Sequence, residues 1–147
     1  SLKQKQQQRW RDMGGVYRYI SDKPYSYQTP LLKGVSVDTG YLTITPDGTI
    51  TIAKDYAWDG CTPAFYIGFW FGTPDLWVGK DGEKVTYRAS QVHDVLCQYS
   101  KIIPITKQTA SEIFKQMLIE HGVPKWIASI YYTGVMLFGQ QEWGKQE

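Results

Sequence analysis

Residues 41 to 53 read Tyr41-Leu42-Thr43-Ile44-Thr45-Pro46-Asp47-Gly48-Thr49-Ile50-Thr51-Ile52-Ala53. Apolar and polar side chains alternate on both sides of Pro46-Asp47-Gly48, which is the period of a strand with one dry and one wet face. Proline presets the φ of a turn, and glycine supplies the left-handed residue that closes it. The stretch predicts a β-hairpin with a short bulged loop. Upstream, Val16-Tyr17-Arg18-Tyr19-Ile20 and the run from Leu31 to Val37 are β-branched or aromatic and predict further strands.

Downstream the texture changes. Residues 54 to 82 hold Gly60, Pro63, Gly68, Gly72, Pro74, Gly79 and Gly82 among many rings. They predict a long irregular loop, with a short apolar element around Phe65 to Phe71, and loops of this length tend to be functional. Beyond it apolar residues step by three and four. Val85, Ala89, Val92, Leu96 and Tyr99 form the stripe of one helix. Thr106 is placed as the N-cap of a second, which buries Ala110, Ile113, Phe114, Met117 and Leu118 and ends at Gly122. Pro124 opens a third, burying Ile127, Ile130, Tyr131, Val135 and Phe138. The expected fold is α+β: N-terminal hairpins in a small sheet, a long aromatic loop, and a C-terminal three-helix segment. Residues 1–13 are read as a flexible, basic, Gln-rich arm, and 14–147 as one α+β domain.

Composition narrows the function classes. The formal charge of +2 is too near balance for a duplex nucleic-acid binder, which needs a concentrated basic face. No run approaches the ~20 apolar residues of a membrane span, and the start Ser1-Leu2-Lys3-Gln4 lacks the apolar core of a secretory signal. Cys61 and Cys97 are the two cysteines. Isolated in this way, they suit buried thiols in a reducing cytoplasm better than a disulfide scaffold. Aromatic residues reach 15%, so rings are available to stack on a base or sugar as well as to fill a core.

The chemically loaded segments are the loop Trp58-Asp59-Gly60-Cys61-Thr62-Pro63 and the helical pair His93-Asp94. At 100° per residue both members of the pair flank the apolar stripe of their helix. A helix edge facing a glycine-rich loop is a natural cleft. There His93 could serve as general acid or base, Asp94 and Asp59 as acids, and Thr62 as an anchor. The competing account is a latch, in which the same groups hydrogen-bond loop to helix and catalyse nothing. A three-histidine zinc site is excluded, because His93 and His121 are the only histidines, and no Cys-x-x-Cys pair exists for structural zinc. No phosphate loop with Lys and no Gly-x-Ser-x-Gly elbow occurs. A Cys61–His93 thiol dyad is ranked below a structural thiol.

Four blocks resemble a phage-borne family known as domain of unknown function 1353 (DUF1353). They are Tyr56-Ala57-Trp58-Asp59-Gly60-Cys61-Thr62-Pro63, Ala89-Ser90-Gln91-Val92-His93-Asp94-Val95-Leu96, Thr106-Lys107-Gln108-Thr109-Ala110-Ser111-Glu112-Ile113-Phe114, and Gly122-Val123-Pro124-Lys125-Trp126 with its helix. The likeness spans about residues 30 to 139. By it, Asp59, Thr62, His93 and Asp94 fill the family's polar positions. Cys61 falls where the family commonly has Ala, and Ser111 where it usually has Asp. Glu112 would replace that acid only if a turn of about 100° can be accommodated. The resemblance implies a bacteriophage or prophage origin and supplies no activity.

The leading expectation is therefore a phage accessory protein in the cytoplasm of the infected host, binding or hydrolysing a nucleotide-like small molecule in a counter-defence role. If it is an enzyme, it is a hydrolase with His93 as acid–base group. Trp58, Phe65, Tyr66, Phe69 and Trp70 would ring the ligand, with Thr62 and Glu112 as polar contacts. The sequence names no cofactor and no metal ligand. One alternative is a non-enzymatic virion, assembly or interaction component, self-associating through exposed rings, in which the Asp/His cluster is structural. A cell-wall hydrolase of the lysis set is a weaker alternative, since its usual zinc ligands are too few.

Overall fold

The computed structural model describes residues 19–20, 23–58, 87–137 and 144. The chain divides into two compact units, Ser1–Asp59 and Gly60–Glu147. The first carries strands β1 (Tyr19–Ile20), β2 (Tyr25–Lys33), β3 (Val37–Asp38), β4 (Leu42–Ile44), β5 (Asp47–Ile52) and β6 (Ala57–Trp58). The second carries helices α1 (Tyr87–Gln98), α2 (Lys107–Glu120) and α3 (Lys125–Leu137). The arrangement is α+β, as the change of period along the chain predicts.

The hairpin stands where residues 41–53 place it. Leu42 pairs with Ile52, Thr43 with Thr51 and Ile44 with Ile50. Gly48 N–H donates to the Thr45 carbonyl at 2.9 Å and Thr45 N–H to the Thr49 carbonyl at 2.9 Å. With Gly48 at φ +91°, this is a turn closed by a left-handed bulge residue. The Asp47 carboxylate accepts from Thr45 Oγ1 and from Thr49 N–H at 3.1 Å. Those bonds hold its carboxyl below the ordinary range. A side chain on Gly48 would also overlap the Thr29 carbonyl oxygen, so the position is closed by space as well as by backbone handedness.

The sheet runs β2-β5-β4-β3 with antiparallel neighbours throughout. Leu42, Ile44, Ile50 and Ile52 are buried on one face, while Ser26 and Thr51 hydrogen-bond on the other at 2.9 Å. Tyr41 and Tyr56, both buried, meet edge to face at 5.8 Å. Two boundaries differ from expectation. The strand expected over Leu31–Val37 is Tyr25–Lys33; it stops at Gly34, which has φ +81°. Between the pairs Gln28–Thr49 and Lys33–Asp47 the register shifts, around Pro30, which has no N–H to give the ladder. The segment from residue 54 is not irregular from its start, because Ala57 and Trp58 pair with Ile20 and Tyr19 as β6. The basic arm, Val16 to Arg18, and residues 59 to 86, with Val85 of the expected helical stripe among them, lie outside the described residues.

In the helical unit α1 packs on α2, and α2 on α3. Thr106 caps α2 as expected, accepting from Thr109 N–H at 3.0 Å. Its C-terminus closes through Gly122 at φ +101° and a bond from Val123 N–H to the Leu118 carbonyl at 2.9 Å, the geometry that glycine there permits. His121 Nδ1 donates to the Met117 carbonyl at 2.7 Å, so the second histidine is a helix cap. The buried face of α2 contains all five expected residues and Ser111. That of α3 is Ala128, Tyr131, Gly134 and Val135. Ile127 and Ile130 are only half-buried, which corrects the expected stripe. The small residues Ala128 and Gly134 take the inner seam, and the larger aliphatics move to its flanks. Phe138 lies outside the described residues.

Candidate functional site

Helix α1 departs most from its sequence pattern. Every residue from Gln91 to Cys97 is buried, so the helix has no solvent face over that stretch. His93 and Asp94 do not flank an apolar stripe at a solvent edge. They are enclosed, at 3% and 0% exposure. Their directions differ by about 100°, and His93 and Gln91 leave the axis on nearly opposite sides. Polar groups are thus withdrawn from water on two sides of one helix.

His93 sits among apolar and soft partners. Its ring lies 5.2 Å from that of Phe114 on α2, and Phe114 in turn meets Tyr131 of α3 edge to face at 6.3 Å. Cys97 Sγ is 3.7 Å from Nδ1 and 3.8 Å from Nε2. The two distances are near-equal, so the sulfur favours neither ring nitrogen. Burial pushes the imidazole pKa down from 6.5 to about 4, with the Lys107 ammonium adding to the shift. At neutral pH the ring is uncharged.

Arg88, Gln91 and Asp94 follow one another at intervals of three along α1, the spacing of helical neighbours. Arg88 Nη1 donates to Gln91 Oε1 at 2.9 Å, and the guanidinium lies 4.9 Å over the Tyr87 ring. Ser111 stands at the position where the resemblance expects an acid. It is buried, and its hydroxyl donates to the Lys107 carbonyl at 2.9 Å, so it is satisfied within its own helix. Glu112 accepts from Gln108 Nε2 at 3.0 Å on the exposed side of α2.

Of the residues singled out from sequence, His93 and Asp94 therefore share one enclosed helix, and Glu112 points to a neighbour on α2. Trp58 lies in β6 with its backbone paired to Tyr19. Asp59, Cys61, Thr62, Phe65, Tyr66, Phe69 and Trp70 lie outside the described residues. Four contributors were not singled out: Arg88, Gln91, Cys97 and Lys107. Spacing could have found Cys97, four residues after His93, and the pair Arg88 and Gln91, three apart. Lys107 needs the packing of α2. Among the described residues no three His, Cys, Asp or Glu side chains cluster to hold a metal.

Residues 76–135 match the sequence model of the family described as Protein of unknown function (DUF1353). The match takes in the His93-Asp94 block, the Thr106 to Phe114 block and α3 up to Val135. The loop block at 56–63 precedes it. No curated protein and no solved structure matches the chain significantly.

Proposed function

We propose that the chain is a bacteriophage accessory protein that binds a nucleotide-like small molecule of the infected host cytoplasm and hydrolyses it with His93 as the acid–base group. The observation that carries this reading is the withdrawal of Gln91, His93 and Asp94 from water within a single turn of α1. Burying such groups is costly unless they are bonded, and strongly shifted titratable groups gather at functional sites. His93, unprotonated at pH 7, is in the form that accepts a proton. An anionic ligand beside it would raise its pKa toward neutrality, where it can both take and return one. Asp94 adjoins it as the acid that orients ligand or water. The aromatic content of the sequence, 15%, supports a ligand that stacks, such as a base. The phage setting and the counter-defence role rest on the family likeness.

The test is calorimetry and product analysis of the whole chain with a panel of linear and cyclic nucleotides, for wild type and His93→Asn. Expected are stabilisation by one nucleotide class and turnover that falls at least 100-fold in a folded variant. No stabilisation by any nucleotide removes the reading.

A second reading is favoured by the enclosure itself. His93 and Asp94 at almost zero exposure suit a latch, while Trp126 and Leu137 on α3 are 67% and 73% exposed, as an assembly component would present apolar surface. Concentration-dependent association of the wild type without nucleotide binding selects it.

A further inference from the structure

Helix α3 carries a second apolar stripe besides the one it buries. Trp126, Ile130, Thr133 and Leu137 follow one another at steps of four, three and four, the spacing that keeps one seam of a helix against a partner helix. At 100° per residue they fall within an arc of about 60°. That arc lies nearly opposite the buried residues Ala128, Tyr131 and Val135. Trp126 and Leu137 at its ends are 67% and 73% exposed, with Thr133 exposed and Ile130 half-buried between them. Thr133 Oγ1 donates to the Ser129 carbonyl at 3.0 Å. Its proton is used within the helix, so covering the residue strands no donor.

Charge decides what can cover this face. From Trp126 to Leu137 the helix has no charged residue, whereas the outward side of α2 carries the bonded pairs Gln108–Glu112 and Gln116–Glu120. A charged partner helix would find no counter-charge here, and burying its charges unpaired is costly. An identical face brings no such mismatch. Lys125 is the one charge beside the stripe. In an antiparallel pair with its twofold axis between residues 131 and 132, the two Lys125 side chains stand about 20 Å apart, beyond the ~8 Å screening length of physiological salt. The same axis sets Trp126 over Leu137 of the second copy and Ile130 over its Thr133, and each contact occurs twice. The two helix dipoles then oppose one another. Toward the C-terminus the chain is committed elsewhere, at the connection between α1 and α2. There Gly144 N–H donates to the Ser100 carbonyl at 2.7 Å, and a side chain on Gly144 would overlap the Ile103 carbonyl oxygen.

We infer that the stripe Trp126-Ile130-Thr133-Leu137 is a self-association face that takes α3 of a second copy in antiparallel register. This deepens the assembly reading by naming its surface and its partner, and it rests on that reading and not on the nucleotide one.

The test is sedimentation of the full chain from about 1 μM to about 1 mM, a span that suits an interface at the small end of the specific range. The average mass rises toward that of two chains. Trp126→Glu and Leu137→Lys, both at exposed positions, keep the circular dichroism of the wild type and each weaken pairing about tenfold or more. Mixed in equal amounts, the two variants pair with each other better than either pairs with itself. The antiparallel register brings their new, opposite charges together. A chain that stays monomeric at every concentration removes both the face and the assembly reading. Association unchanged by both substitutions removes the face and leaves that reading in place. Weakening without recovery in the mixture overturns the antiparallel pairing, and the inference with it.

Discussion

His93 makes the most direct claim on measurement at the scale of one residue. Its folded pKa of about 4 lies below the ordinary 6.5, so the unfolded chain takes up a proton that the folded chain refuses. Stability is intact above pH 6.5 and is lost as pH falls toward 4, by roughly 3 kcal/mol for a shift of this size. Chemical denaturation of wild type and His93→Leu between pH 7 and 4 should show the slope in the first and a flatter profile in the second. Asp47 has the opposite sign. Its carboxylate is held by Thr45 and Thr49 and its pKa is lowered, so its contribution is present above the ordinary carboxylate value and fades below it. Asp47→Ala should lower the melting temperature at pH 7, with the gap to wild type closing in acid. The His93 effect is not legible in sequence alone, because it depends on the ring of Phe114 and on Lys107, neither of them its neighbour in the chain. The partners of Asp47, by contrast, lie two residues to either side.

Elements were read best where one periodicity had no rival. Residues 41–53 combine strict alternation with a proline-to-glycine turn, and the hairpin follows in register. Thr106 and Gly122 likewise bracket α2 because cap chemistry is local. Thr106→Ala should cost about 1 kcal/mol in denaturant unfolding, the usual loss of an N-cap. Phe114 packs between His93 and Tyr131, and Phe114→Ala should cost about 3–5 kcal/mol. Two left-handed glycines, Gly34 and Gly48, separate strain from space. Gly34 has nothing within 4 Å of an added side chain, whereas Gly48 meets the Thr29 backbone. Gly34→Asn should therefore be tolerated with a small loss, since asparagine accepts this backbone region, while Gly48→Asn should abolish a cooperative melting transition. The strand expected over Leu31–Val37 is displaced toward the N-terminus, where its apolar run overlaps the register shift at Pro30. The shift depends on pairing with β5, which no local window contains.

At the scale of the whole molecule, α+β was visible in the change from a period of two to one of 3.6, while the depth of α1 was not. A helix with Gln91, His93 and Asp94 among its apolar residues reads as amphipathic until its neighbours are known. For that reason its polar residues read as edge positions rather than interior ones. One consequence concerns tolerance to change. A two-sided helix answers systematic substitution with a rhythm, costly and harmless positions alternating about every 3.6 residues, and α3 should behave in that way. Across 91–97 there is no harmless side. A full substitution survey read out by cellular abundance should find an unbroken trough there, with polar and apolar positions equally intolerant.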